Sequence, residues 1–404
     1  MMNRRDMLMS LGGVVAGAAS GRWDFPEPAG FPRKADFRFE GWTYINAAYT
    51  HPMPLAAADA YRGYLERRST VGHPDAPPRS VDPIAAFASL INAKPNEIGY
   101  IPNTSTGENL VVEALGIAKN QGNVVTDALH FEGALVHLVE LQKRGLDLRI
   151  VMPREGRIDL EDMARVVDKN TRLIEVSFVS MYNGFQHDLK AVAELAHAHG
   201  AYVYADLIQG VGAVPLDIHA TGVDFAATAS YKWLMGDFGL AFLYVREDLL
   251  GSVFPRLHAS YESAPDLAIH TSPLDPRTPT PLTYTLGTDT DSYTHLGTLG
   301  YGVRAALAVS LPYIQSLGVD AIQRHRQPLL QRLQAEMPRL GFKAQTPLDS
   351  TSTIVTFAHK DEAGITKKLQ AAKVSVRVAD YWMRIAPSVY NDMADVERLL
   401  AALA

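Results

Sequence analysis

Tyr202-Val203-Tyr204-Ala205-Asp206-Leu207-Ile208-Gln209 and, further along, Thr228-Ala229-Ser230-Tyr231-Lys232-Trp233-Leu234-Met235-Gly236 decide the reading of this chain. In the first stretch a carboxylate ends an apolar run of β type, with Gln209 just beyond it. A carboxylate so placed can hold a protonated ring nitrogen through a charge-assisted hydrogen bond. In the second stretch one Lys follows small and apolar residues and stands between aromatics. Desolvation lowers the pKa of such an amine and makes it nucleophilic. A turn Asp after a strand is common, and so is a solvated loop Lys. The two become informative as a pair at the ends of neighbouring strands.

Working outward, short apolar runs alternate with helical patterns from about 97 to 247. The runs are Asn123–Thr126, Leu148–Met152, Leu173–Val179, Ala201–Ala205, Phe225–Ala229 and Gly239–Val245. Helical patterns fall near 107–118, 131–144, 159–168 and 188–199. This alternation predicts an α/β fold, with a parallel sheet covered by helices on both faces. Ligands of such sheets bind at the carboxyl ends of the strands. Residues 255–291, punctuated by Pro265, Pro273, Pro276, Pro279 and Pro281, break the rhythm and read as a long loop that covers or selects a ligand. A long helix is expected around 293–317. A smaller α+β unit closes the chain, with strands near 353–358, 374–379 and 382–386 and a last helix from Met393. The expected division is 1–20 as an export signal, 21–60 as an arm with a substrate-pocket segment, 61–290 as a large cofactor domain, and 291–404 as a linking helix with a small domain.

Two more strand ends carry chemistry. Asn103-Thr104-Ser105-Thr106-Gly107-Glu108 opens a helix. Outward N–H groups and hydroxyls at a helix start seat an anion such as phosphate, although the same residues also suit a plain cap. His130-Phe131 follows the Asn123–Thr126 run, and an aromatic there can stack on a flat ring. A phosphate seat, a ring stacker, a carboxylate for a ring nitrogen and a Schiff-base Lys together meet the needs of pyridoxal 5′-phosphate, PLP.

Composition removes other classes. Lys plus Arg number 38 and Asp plus Glu 44, so the 404-residue chain carries a net charge of −6. No basic cluster breaks the balance, which argues against a nucleic-acid partner. Cysteine is absent, which rules out disulfides, Cys-ligated zinc and iron–sulfur clusters. Gly210-Val211-Gly212 has Pro215 where a dinucleotide fingerprint needs its third glycine. His197 and His199 face apart on a helix, so no metal site is expected.

These residues resemble the class V aminotransferase family of fold-type I PLP enzymes, which includes isopenicillin N epimerase-like proteins, kynureninases and cysteine desulfurases. The resemblance covers roughly residues 40–404. It implies a large domain with a mainly parallel seven-stranded sheet, a small C-terminal α+β domain, and a homodimer with its active site at the subunit interface. It makes Lys232 the Schiff-base lysine and general acid/base, Asp206 the partner of the ring nitrogen, and Gln209 a contact of the ring oxygen. Thr104, Ser105, Thr106, Ser230 and Tyr231 become phosphate ligands. Phe131 stacks in kynureninase-like members and a nearby His in desulfurases, so His130 and Phe131 both stand as stackers. Thr288, in Leu286-Gly287-Thr288, corresponds to the residue that reaches the partner subunit's phosphate. Arg384 matches the arginine that binds a substrate carboxylate, a task suited to a guanidinium fork. Asn46, in Tyr44-Ile45-Asn46-Ala47-Ala48, belongs to the segment lining the substrate pocket. Met181 stands at the usual Asn position, which leaves Asn183 as a contact of ring or substrate.

The function implied is chemistry at Cα of an amino-acid-like substrate, with aminotransferase chemistry foremost. Epimerase or C–S/C–C lyase chemistry is the alternative, and a non-catalytic binding protein the second. Desulfurase activity is expected to be excluded, because no Cys is present to take sulfur as a persulfide. Asn3-Arg4-Arg5-Asp6-Met7-Leu8 and the short apolar stretch after it resemble a twin-arginine signal, with Ala16-Gly17-Ala18 as the cleavage site. At about 13 residues that stretch is too short to span a bilayer, so no membrane partner beyond export machinery is expected. A periplasmic or exported location follows, with the cytoplasm as the alternative.

Overall fold

The computed structural model describes residues 30–71, 81–119, 122–261, 263–264 and 284–404. The export signal and most of the Pro/Thr-rich 255–291 stretch lie outside the described residues.

Thirteen strands occur among the described residues. They are β1 Thr43–Tyr44, β2 Ile98–Ile101, β3 Asn123–Asp127, β4 Asp147–Val151, β5 Thr171–Ser177, β6 Tyr202–Asp206, β7 Phe225–Ala229, β8 Ala241–Val245, β9 Lys343–Ala344, β10 Val355–Ala358, β11 Val374–Ser375, β12 Arg377–Ala379 and β13 Trp382–Ile385. Seven form one sheet in the order β2-β8-β7-β6-β5-β3-β4. β8 runs antiparallel to both neighbours, and the other six share one direction. The sheet is therefore mainly parallel. The register sets Ser177 beside Asp206 and Asp206 beside Ala227, which brings three strand ends into line.

Alternate residues of these strands feed two cores. Val125, Ile174, Val176, Val203, Ala205 and Phe242 pack on one face. Val124, Leu173, Tyr204, Phe225, Ala227 and Leu243 pack on the other. A sheet buried on both faces explains why its strands read as nearly continuous apolar runs. On the first face Phe87 and Phe242 stack at 4.3 Å with ring planes 6° apart, which adds about 0.5–1.5 kcal/mol beyond area burial. Helix starts are fixed by aspartates: Asp188 accepts from the Ala191 N–H, Asp217 from Ala220 and Asp361 from Gly364. Each cap contributes about 1 kcal/mol.

Beyond the sheet, helix Tyr301–Leu317 packs on helix Leu55–Val71, and Val319–Glu336 leads into a four-stranded antiparallel sheet of order β12-β13-β10-β9. Ile45 enters the core of that unit with Leu330, Phe357, Ile385 and Leu399, and β1 pairs with β11. The segment before residue 60 is thereby tied to the C-terminal unit. The expected 293–317 helix is two, Thr290–Thr294 and Tyr301–Leu317, because Gly297 at φ 157° and Gly300 interrupt it. No single helix among the described residues is long and apolar enough to cross a membrane.

Candidate active site

Because β2, β3, β5, β6 and β7 run the same way, the residues that follow their carboxyl ends converge. Together they enclose a cavity of about 150 Å3 lined by Thr104, Ser105, Phe131, Asp206, Gln209, Tyr231 and Lys232, with Asn103, Ser177, Val179, Met181, Ile208 and Ala229 completing the wall.

Each functional group is placed by local geometry. Asp206 is the last residue of β6, and one of its oxygens accepts the Ile208 N–H at 2.9 Å. Lys232 sits in a tight turn after β7, in which Gly236 N donates to Ser230 O at 2.9 Å and Met235 N to Lys232 O at 2.8 Å. Met235 adopts φ 57° to close that turn. The Lys232 amine lies 5.6 Å from the Tyr231 ring centroid. Helix Thr104–Ala114 begins at the cavity with Asn103 as its cap, accepting the Thr106 N–H at 2.9 Å. Its first turn thus presents N–H groups toward the cavity wall. Thr104 Oγ1 is buried with no hydrogen-bond partner.

Burial sets the electrostatics. It pushes the Lys232 ammonium down to about 8; Arg384 pushes the same way and Asp206 opposes them. Burial raises the Asp206 carboxyl, against the pull of His130, the Ile208 N–H and Lys232. A cationic N–H donor set against Asp206 opposes that burial penalty. The neutral, nucleophilic form of Lys232 therefore grows in as pH rises through about 8, well below an ordinary lysine. The rate of PLP capture by the ligand-free protein should climb through that same pH. Stopped-flow absorbance across about pH 6–11 measures this midpoint, and a value above about 10 would contradict the buried setting of this amine.

Of the adjacent pair His130 and Phe131, only Phe131 lines the cavity, and several other predicted residues stand outside its wall. Phe131, at the start of helix Glu132–Gln142, faces the cavity, whereas His130 is fully buried with Nδ1 2.8 Å from Ser177 Oγ. Of the two candidate stackers, Phe131 is therefore the ring that faces the cavity. Thr106 spends its hydroxyl on Asn103 Oδ1 at 3.1 Å, and Ser230 gives its own to Asp237 O at 2.5 Å. Asn183 donates to Gly156 O at 2.7 Å and accepts from Phe185 N at 3.0 Å, so both ends of its amide hold the bend before Gly184. Arg384 is buried on β13, donates to Met181 O at 3.1 Å, and keeps Nε without a partner. Asn46 bridges to Ala386 near it, with a buried Oδ1 lacking a partner. Thr288 is exposed on the surface.

Three supports were not visible in the sequence. His51 N donates to Tyr231 O at 3.1 Å and so braces the Lys turn. Its ring is fixed by Ser388 Oγ at 2.7 Å, and burial lowers it to about 4. Gln209 is held by Ala48 O and by Trp233 Nε1. Ser177 reaches the wall from β5. None of these carries a local sequence signal, because each contact joins segments far apart in the chain.

The residues fit a pyridine aldehyde phosphate. An amine and a carboxylate share one cavity with an aromatic ring and a helix start whose Thr104 hydroxyl lacks a partner.

Comparison with known proteins agrees. The family model described as Aminotransferase class-V matches residues 84–399. A probable cysteine desulfurase of Methanothermobacter thermautotrophicus is 29% identical over 300 residues, 72% of this chain and 71% of that protein. The apo structure of a cysteine desulfurase from Thermococcus onnurineus NA1 superposes with TM-score 0.75 at 21% identity, covering 91% of this chain and 95% of that one. The cystine C–S lyase C-DES, in complex with its reaction product cysteine persulfide, gives TM-score 0.77 at 20% identity, covering 91% and 99%. These structures share the fold-type I PLP architecture, and PLP is the cofactor the comparisons support. The expected exclusion of desulfurase activity is corrected: relatives bearing that name align over most of the chain, and lack of Cys does not remove the activity. The accepting thiolate attacks the substrate sulfur as the C–S bond breaks, with the bonding electron pair leaving on carbon, and a thiol from elsewhere can take that part.

Proposed function

Because the chain belongs to the class-V aminotransferase family, we propose that it is a PLP-dependent lyase that breaks a C–S bond in a small sulfur-containing amino acid. The observation that carries this reading is the single cavity in which Lys232 and Asp206 meet. The cofactor supplies a sink for the electrons left when Cα loses its proton. Lys232, already weakly basic through burial, takes and returns that proton. With the cofactor bound, Asp206 would accept the hydrogen bond of the protonated ring nitrogen, Phe131 would pack against the ring, and the first turn of helix Thr104–Ala114 would hold the phosphate.

A C–S lyase stands ahead of transamination because most of the similar proteins are named cysteine desulfurases, although one, 31% identical over 173 residues, is named an aminotransferase. The chain offers no thiol of its own, so the released sulfur leaves on a small molecule or on an external acceptor. C-DES, whose product is cysteine persulfide, supplies the precedent for the first route. The test supplies cysteine and cystine separately and measures sulfane sulfur by cyanolysis. Amino transfer to added α-keto acids is measured in parallel. Sulfur release supports the lyase, and amino transfer without sulfur release selects the aminotransferase.

Arg384 is the substrate-carboxylate ligand in this reading, with Nε unpartnered and its charge felt at Lys232. Arg384→Ala should raise KM about 10–100-fold, the worth of a charge-assisted bond. An unchanged KM in steady-state assays would remove Arg384 from the substrate site. The family likeness also supports a homodimer in which the exposed Thr288 reaches the partner's phosphate, and light scattering tests the dimer. A reporter fused to residues 1–30, with Arg4→Lys plus Arg5→Lys as control, tests export.

A further inference from the structure

One residue of the parallel sheet breaks its apolar pattern. β5 reads Leu173-Ile174-Glu175-Val176, and Glu175 falls on the face occupied by Leu173 and Tyr204. It is fully buried, and neither of its carboxylate oxygens has a hydrogen-bond partner. An uncompensated buried carboxylate is costly. Glu108, on helix Thr104–Ala114, faces it and is 3% exposed. His130 completes the group from the loop after β3, with no exposed surface and Nε2 without a partner. One ligand atom from each of the three lies within 4.8 Å of the other two.

We propose that Glu108, His130 and Glu175 hold a divalent first-row metal ion in a buried site beside the cofactor cavity. Two carboxylates and an imidazole, with no sulfur, suit Zn2+, Mn2+ or Fe2+. The ring of His130 is already set for this task. Its Nδ1 lies 2.8 Å from Ser177 Oγ, so a proton on Nδ1 leaves Nε2 as the lone-pair donor. A metal-binding histidine is ordinarily steadied through its other nitrogen in this way. Metal bonds of about 2.0–2.2 Å place two ligands of one ion at most about 4.4 Å apart, so adjustments of about half an ångström close the site.

A single proton shared between the two glutamates is the rival occupant. That occupant leaves the buried His130 Nε2 without a partner, whereas a metal ion engages all three groups. A divalent ion there offsets the charge of two buried carboxylates, Glu108 and Glu175. No metal-ligand spacing stands in the sequence, because the three residues come from a helix, a loop and a strand far apart in the chain.

The test is metal content, which does not depend on the cofactor reading or on turnover. Holoenzyme from cells grown with added Zn2+ or Mn2+ is dialysed and analysed by plasma mass spectrometry. About one tightly held equivalent per chain is expected, as for a closed site. Glu175→Gln should retain less than about a tenth of it, and Ser177→Ala, which keeps all three ligands, should weaken retention about 10–100-fold. Should Glu175→Gln fail to fold, Ser177→Ala and the Mn2+ paramagnetic resonance signal of the wild-type protein carry the decision. Metal-free wild-type protein, or equal retention in both variants, overturns the proposal. So does a protonated-carboxyl infrared band that is present in wild type and lost in Glu175→Gln, because it assigns the site to a proton.

Discussion

Lys232→Ala should lower kcat by about 10⁴-fold or more, because one residue supplies both the nucleophilic amine and the proton carrier at Cα. The substitution removes a buried cation from a site where burial already disfavours its charge, so folding should survive, as circular dichroism can show. The loss is chemical rather than architectural: the turn is held by its own backbone bonds from Gly236 to Ser230 and from Met235 to Lys232. A small primary amine added to the variant should restore part of the rate by carrying the proton that the side chain no longer carries. A variant with wild-type turnover would show that Lys232 is not the base. A variant that unfolds would be followed by Lys232→Arg, which keeps the charge and bulk but not the chemistry.

Asp206→Asn should lower kcat about 10²–10³-fold, the usual worth of one fixed charge aimed at the reacting system. Asn has the same shape and can still accept the Ile208 N–H, but it cannot hold a positive ring nitrogen by charge. Burial already lifts the Asp206 carboxyl above its ordinary range, so the variant also gives up an electrostatic cost. Thermal stability of the apo-protein should therefore hold or rise while turnover falls. That split separates a functional role from a structural one. Unchanged turnover would remove Asp206 from the electron-sink arrangement.

Much of this was legible in the chain because chemistry punctuates the strands. Asp206 and Lys232 each close or follow an apolar run, and a parallel sheet places such ends together. The strands from Asn123 to Val245 were readable for the same reason: both faces are buried, so the runs stay apolar. Ile98–Ile101 was not, since a four-residue strand with a central Gly carries almost no period. Helix Leu55–Val71 escaped notice because arginines and glutamate dilute its apolar stripe.

Within the site, sequence could not choose between His130 and Phe131. Adjacent side chains point apart, and only the entry angle of helix Glu132–Gln142 decides which faces the cavity. Thr106, Ser230 and Asn183 have the right chemistry on paper, yet Asn103 Oδ1, Asp237 O and Gly156 O take up their hydrogen bonds. Such competition between side chain and nearby backbone is settled by turn geometry. The missing cysteine misled for another reason: it bears on where sulfur goes, and not on which bond breaks. Glu175 stood in plain view inside β5, but its want of partners is a property of the packed sheet.

The central claim is that PLP is held covalently by the Lys232 amine in the cavity that also contains Asp206. The direct measurement is the visible spectrum of the purified protein with PLP, followed by borohydride reduction and peptide mass spectrometry. The account predicts a visible band that borohydride abolishes, with the pyridoxyl phosphate mass fixed on the peptide carrying Lys232. A protein that shows no such band, or carries the label on a different lysine, would contradict it.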